Sequence, residues 1–251
     1  MNEVPAKFRI QDAQYGFPYH YVPTLEAGHF KPYFLLKWGF EYLSYINFCL
    51  DNLAELQWNS LLDVGCGDGR LVSLAGKRFS GRELVGIDAS EQAIGLARLL
   101  SSGGHFVVGD VTRPDVFPAP FDVLTCVEVI EHIPPDALPE FVAGMRRQVS
   151  EGSRLILTVP STNRPLNPKH YRHFTPDLLQ SVLSPFFEPQ KMLYLNGSDA
   201  RFNMIKRLMM NKYALIMHQR ALDAFYRFYV KNYLISNASS GGRVFGIFVA
   251  R

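Results

Sequence analysis

The sequence predicts an α/β fold, a mostly parallel sheet covered by helices. Short apolar runs alternate with helical patterns through the middle of the chain. These runs show no polar alternation, as expected of strands buried on both faces. The first of them ends in a cluster of glycines that leads into a helix, the usual ligand-binding edge of a doubly wound sheet. With 251 residues, 47% hydrophobic and 20% charged, the chain can bury one sizeable core.

In chain order, the expected strands are Leu61–Gly65, Glu83–Asp88, His105–Gly109, Asp122–Val127 and Arg154–Pro160. Helices are expected at Arg70–Phe79, Glu91–Leu100 and Pro139–Ser150. Ser90 stands where a helix N-cap belongs. Gln190–Leu195 and Arg243–Val249 have strand composition and can close the sheet. Residues 1–58 are rich in aromatics, with a helical stretch from about Lys31 to Leu56. Residues 197–238 form a second helical block in which Leu215, Leu222, Phe225, Tyr229 and Tyr233 recur at helical spacing. The expected organisation is thus a cover (1–58), a core (59–196), a helical insertion (197–240) and a closing strand (241–251).

Composition excludes several classes. Gly 19, Pro 16 and Cys 3 rule out low-complexity, collagen and disulfide-framework chains. Cys49, Cys66 and Cys126 are odd in number and widely spaced, which fits a reduced cytoplasmic protein and no structural zinc site. The apolar stretch Tyr33 to Leu50 is broken by Lys37 and Glu41, so no membrane span is expected. MNEVPAKFRI lacks the apolar region of a secretory leader. The net charge of +3 says little about partners. Its excess is concentrated in the second helical block: residues 201–234 carry seven Lys or Arg against one acid, Asp223.

The most informative segment is LLDVGCGDGRL, residues 61–71. A nicotinamide or flavin site calls for Gly-x-Gly-x-x-Gly with a helix start facing a pyrophosphate. Here Arg70 stands at the sixth position, and the spacing is Gly-x-Gly-x-Gly. Asp63 and Asp68 beside the glycines suit a cationic ligand without phosphates. S-adenosylmethionine, with an ammonium and a sulfonium, is such a ligand. Acids also end the next three strands: Asp88 is placed for ribose hydroxyls, Asp110 for the adenine amine, and Glu128 follows the fourth strand.

This constellation resembles the class I S-adenosylmethionine-dependent methyltransferases over roughly residues 59–195, and more weakly over Arg243–Val249. The resemblance implies a Rossmann-like sheet of seven strands, the last antiparallel. The family usually joins strands six and seven by a short hairpin; here a helical insertion intervenes as a lid. The resemblance also implies roles. Asp63, Gly65, Cys66 and Gly67 line the methionine part, Asp88 with Ala89 the ribose, and Asp110 with Val111 the adenine. Cys126, Val127 and Glu128 pass near the sulfonium.

Residues 128–135 read Glu-Val-Ile-Glu-His-Ile-Pro-Pro. A helical turn there would bring Glu128, Glu131 and His132 onto one face, with Val129, Ile130 and Ile133 inward. His132 suits a general base. The same three side chains suit a divalent metal such as Mg²⁺. The Glu-x-x-Glu-His segment resembles two metal-dependent subgroups, the ubiquinone-pathway O-methyltransferases and the small-RNA terminal 2′-O-methyltransferases. VPSTNRPLNPKHYRHF, residues 159–174, should emerge at the same sheet edge, where His170 or His173 can add a base or ligand. Tyr19, His20 and Tyr21 can cap the cofactor or stack on an acceptor ring.

The leading expectation is an enzyme, an O-methyltransferase acting on a small molecule or a glycan or nucleotide-sugar precursor. Lys206, Arg207, Lys212 and Arg220 would meet an acceptor phosphate or carboxylate, and Phe202, Tyr213, Phe225 and Tyr226 would stack on its rings or bases. The alternatives are an RNA 2′-O-methyltransferase with a Glu/His metal site and a non-catalytic S-adenosylmethionine-binding protein. Nothing in the sequence fixes the oligomeric state.

Overall fold

The computed structural model describes residues 6–15, 24–26, 29–31, 35–101, 103–114, 116–209 and 218–251. Its helices are α1 (Ala6–Asp12), α2 (Leu35–Ala54), α3 (Arg70–Arg78), α4 (Glu91–Leu100), α5 (Leu138–Arg147), α6 (Pro176–Leu183), α7 (Ala200–Met209) and α8 (Gln219–Tyr229). The strands are β1 (Thr24–Glu26), β2 (His29–Lys31), β3 (Ser60–Val64), β4 (Glu83–Asp88), β5 (His105–Val108), β6 (Phe121–Val127), β7 (Val149–Pro160), β8 (Phe187–Leu195), β9 (Ile235–Ser236) and β10 (Arg243–Ala250).

The main sheet runs β5-β4-β3-β6-β7-β10-β8-β9. β5, β4, β3, β6 and β7 are parallel to their neighbours, and β10 slots antiparallel between β7 and β8. The order reverses between β3 and β4 on one side and β6 on the other, which opens a crevice at the carboxyl ends of these strands. The expected α/β architecture is therefore present, with one difference in strand count. Leu234 accepts from Asn196 N–H, and the following Ile235–Ser236 pairs with the end of β8 as an eighth, two-residue edge strand. β7 also starts at Val149, earlier than its apolar run suggested, because Phe121 pairs with Val149 at the sheet's amino-terminal side.

Two apolar layers sandwich the sheet. Leu62, Leu124, Leu155 and Leu157 bury one face beneath α5 and α6, with Val142, Met145, Leu179 and Leu183 fully covered. Leu61, Val123, Ile156 and Phe245 bury the other beneath α2 and α3, against Leu53, Val72 and Ala75. Such two-sided burial explains why the strands read as unbroken apolar runs. Ser90 caps α4: its Oγ accepts from Ala93 N–H at 3.1 Å.

The segment between β8 and β10 packs into a third core of its own. Phe202 stacks on Phe225 at 5.7 Å, and Met209, Tyr229 and Tyr233 close around them. Tyr226 stacks on Phe40 of α2. The helical spacing of Leu222, Phe225, Tyr229 and Tyr233 thus serves internal packing; of the rings expected to stack on an acceptor, Phe202 and Phe225 pack inside the lid and Tyr226 packs against α2. Lys206 pairs with Glu41 at 3.7 Å, and Arg201 lies over the Phe228 ring. Lys212, Tyr213 and Leu215 lie outside the described residues, as do Tyr19, His20 and Tyr21. Among the described residues no helix is long and apolar enough to cross a membrane. Cys49, Cys66 and Cys126 are buried free thiols, each pushed up by burial.

Candidate active site

A cavity of about 650 Å³ opens along the carboxyl ends of β3, β4, β5 and β6. Asp63, Gly65, Cys66, Gly67, Asp88, Ala89, Asp110, Val111, Val127 and Glu128 all line it. Glu131, His132, Lys169 and His170 continue its wall on the far side of β6.

At the β3 end the glycines are required by backbone shape. Gly65, Gly67 and Gly69 have φ of 71, 54 and 72, values that L side chains rarely adopt. A Cβ on Gly65 would also fall 2.5 Å from Val129, and one on Gly67 would fall 2.9 Å from the Tyr15 hydroxyl. The carboxylates here have partners. Asp88 Oδ2 accepts from Gly67 N–H and Oδ1 from Ser90 N–H, both at 2.9 Å. Asp110 Oδ1 accepts from Thr112 N–H at 2.9 Å. Thr125 Oγ1 donates to Asp63 at 2.7 Å. Burial nevertheless raises Asp88, and it pushes Asp63 up to about 7 against the help of Thr125. A cation in the cavity would relieve both.

The short helix α1 spans the cavity mouth. Asp12 bonds the Ser90 hydroxyl, and Lys7 donates to the His170 carbonyl while lying over the Tyr171 ring. Tyr15, in the turn after α1, sits over the glycine loop. Of the aromatic run that begins there, Tyr15 is the described member.

Beyond β6 the chain makes a single 3-10 turn, Ile130–His132, instead of an α-helix. Ile130 is buried and Val129 and Ile133 pack on the same core, as expected. Glu128 has the left-handed φ of 57, unusual for a non-glycine residue. Its position is held at both ends of the side chain. Thr158 Oγ1 donates to Oε1 at 3.0 Å, and Arg243 Nε donates to Oε2 at 3.0 Å. Arg243 reaches in from β10, lies over the Tyr45 ring and touches Glu41, which also pairs with Arg164 at 3.2 Å. Asn196 joins Arg243, Ser44 and Tyr229 into the same network. Neither Arg243 nor Glu41 was singled out by the sequence; no local pattern marks them.

Glu131 is the opposite case. It is fully buried, and neither carboxylate oxygen has a hydrogen-bond partner. Burial and the Glu128 charge raise its pKa well above the ordinary carboxylate range. A backbone bond from Tyr171 N–H to the Glu131 carbonyl, 2.8 Å, brings the 161–174 loop alongside. That loop is anchored by fully buried Phe174, which pairs with Ser161. One atom each of Glu131, His132 and His170 lie within 4.8 Å of one another. Burial holds both imidazoles neutral, His132 near 4 and His170 near 3.

The structure therefore brings Glu131 and His132 together with His170, while Glu128 lines the same cavity with its carboxylate engaged by Arg243 and Thr158. His173 does not line the cavity. No described residue of α7 or α8 lines it either, so Lys206, Arg207 and Arg220 have no place in its wall.

Residues 61–152 match a family model described as a methyltransferase domain. Over 127 residues the chain is 35% identical to the ubiquinone biosynthesis O-methyltransferase of Pseudomonas paraeruginosa, covering 49% of this chain and 51% of that protein. It thus spans about half the length of the curated relatives it matches. Among solved structures it is similar to magnesium protoporphyrin IX methyltransferase from Synechocystis PCC 6803 with bound S-adenosylmethionine. The TM-score is 0.59 at 14% identity, with 100% of both chains covered. It is also similar to the N-methyltransferase NodS of Bradyrhizobium japonicum with S-adenosyl-L-homocysteine. There the TM-score is 0.58 at 13% identity, with 86% of this chain and 90% of that chain covered. The fold is that of the S-adenosylmethionine-dependent methyltransferases.

Proposed function

We propose that this chain is an S-adenosylmethionine-dependent methyltransferase that methylates a hydroxyl of a small molecule. One observation carries the reading. A single cavity runs from the partnered acids at the ends of β3, β4 and β5 to the unpartnered Glu131 beside His132 and His170. The bound cofactor supplies a methyl group on a sulfonium, open to in-line displacement by a nucleophile. Asp88 and Asp110 keep free lone pairs for ribose hydroxyls and the adenine amine, and the buried Asp63 offers negative charge to the methionine end. Tyr15, Tyr42 and Tyr45 wall the cavity and exclude water, which strengthens positioning at the reacting centre.

The far end fits a divalent metal. A buried carboxylate with no hydrogen-bond partner is costly unless a cation or donor meets it. Two neutral imidazoles and one carboxylate are a mixed donor set suited to a hard or borderline ion. Glu131, His132 and His170 would hold it, and such an ion lowers the pKa of an acceptor hydroxyl. A general-base role for His132 is less well matched, because a group near 4 takes a proton from an unassisted hydroxyl poorly. The glycan and nucleotide-sugar readings relied on lid cations and rings facing the acceptor, and the RNA reading on the same lid cations together with Glu128, Glu131 and His132; the lid's described residues line no part of the cavity and leave all three without the lid's support.

Calorimetry with S-adenosyl-L-homocysteine tests the cofactor. Wild type should bind, and Asp88→Ala should weaken binding at least tenfold; unchanged affinity would count against this site.

A further inference from the structure

We propose that His173 is a positioning residue that fixes the tautomer of His170, so that the His170 Nε2 lone pair is bare and available to a divalent cation. The inference rests on the metal reading above, but its geometry is independent of it. His173 Nδ1 lies 3.0 Å from the Arg164 carbonyl oxygen. A carbonyl only accepts, so His173 Nδ1 carries the proton and donates. In the neutral ring Nε2 is then an acceptor. His170 Nδ1 lies 2.9 Å from it and must therefore donate. That leaves His170 Nε2 unprotonated.

The same logic applies to His132 by a separate route. Its Nδ1 lies 3.2 Å from the Lys169 carbonyl oxygen and donates there, leaving Nε2 bare. Two backbone carbonyls, one contacted directly and one through His173, thus set a bare Nε2 on each of the two imidazoles that cluster with Glu131. Without the relay, His170 is free to place its proton on Nε2 and close the site to a cation. Outer partners of this kind fix the orientation and basicity of ligating histidines. Arg164 adds rigidity, because its guanidinium is paired with Glu41 while its carbonyl holds the relay. The motif is His170-x-x-His173, and it gives the second histidine a role although that residue never reaches the cavity.

The test uses the full chain with ¹⁵N-labelled histidine, freed of metal by chelation, at pH 8. Long-range ¹H–¹⁵N spectra should show His170 as the Nδ1–H tautomer in wild type. His173→Leu should move it toward Nε2–H, and His173→Gln, whose amide can donate to Arg164 and accept from His170, should restore the wild-type pattern. Calorimetric titration with Co²⁺ gives the second readout. His173→Leu should weaken binding by roughly 10–100-fold and His173→Gln should retain most of it. Affinity for S-adenosyl-L-homocysteine should stay unchanged in both, which verifies that the variants are folded. A wild-type His170 protonated on Nε2 would overturn the relay. So would wild-type Co²⁺ affinity in His173→Leu alongside weakened binding in His170→Ala. If Co²⁺ binds no variant and not the wild type, the metal reading falls, while the tautomer spectra still decide the role of His173.

Discussion

The two ends of the cavity solve the problem of buried charge in opposite ways. At the β3–β5 end each acid is met by a nearby backbone N–H or hydroxyl: Asp88 by Gly67 and Ser90, Asp110 by Thr112, Asp63 by Thr125. At the β6–β7 end Glu128 is held by an arginine from the last strand, and Glu131 has no hydrogen-bond partner, with the neutral His132 Nε2 at 3.9 Å as its near neighbour. The first end is complete and waits for a ligand that adds to it. The second carries an electrostatic deficit that only a bound cation or proton removes. Binding sites that are costly to the empty protein are where function is concentrated.

Four perturbations test this contrast, from the largest expected effect to the smallest. Arg243→Met should lower unfolding stability by about 3–5 kcal/mol, because it leaves the Glu128 carboxylate with Thr158 alone and takes one of three basic partners from Glu41. Thr125→Val, which removes one hydrogen bond at the other end, should cost only about 1–2 kcal/mol; equal shifts in denaturant midpoint would erase the distinction. The second concerns pH. His132 near 4 and His170 near 3 lie below the ordinary histidine value of about 6.5. At these two sites the unfolded chain binds more protons than the folded one between those values, so the histidines' contribution to the stability of metal-free protein is lost as pH falls from 6.5 toward 4. Thermal scans should show wild type losing several kcal/mol more than the double variant His132→Gln, His170→Gln over that range, because the raised carboxylates act alike in both. Asp63, raised to about 7, runs the other way and removes stability as pH rises from about 4 to 7.

Third, Glu131→Gln should stabilise the metal-free protein by about 1–3 kcal/mol, since it relieves an unpartnered buried carboxylate. The same change should weaken Co²⁺ binding, and destabilisation would show that Glu131 has a structural partner. Last, Ser90→Ala should cost about 1 kcal/mol through loss of the α4 cap. The Asp12 contact to the Ser90 hydroxyl would go with it, loosening α1 at the cavity mouth.

The contrast between the two ends also governs what the sequence disclosed. The glycine turn, the strand-end acids and the Ser90 cap are local devices, each readable within a few residues because backbone conformation demands particular side chains there. The mostly parallel sheet followed from the alternation of runs and helices. The β6–β7 end is assembled from afar. Arg243 meets Glu128 across 115 positions, and Glu41 meets Arg164 across 123. No short spacing encodes such pairs. The left-handed turn at Glu128 likewise lacks the glycine or asparagine that signals one. His170 joins Glu131 because Phe174 pins the loop, a packing event invisible in composition. The lid misled in another way: Phe202, Phe225, Tyr226, Arg201 and Lys206 have the chemistry of a binding face but make contacts with other lid residues or with α2.

The placement of β10 between β7 and β8 has a consequence for how the protein is made. The strand carrying Arg243 leaves the ribosome after every other strand of the sheet, yet it must insert between two that are already synthesised. Long-range closures of this sort are slow steps in folding. A nascent chain halted before this strand could carry a formed glycine loop and strand-end acids while Glu128 still lacks its arginine. In chain order, then, the Glu128 end of the cavity is the last to be completed, when β10 brings in Arg243 as the latch.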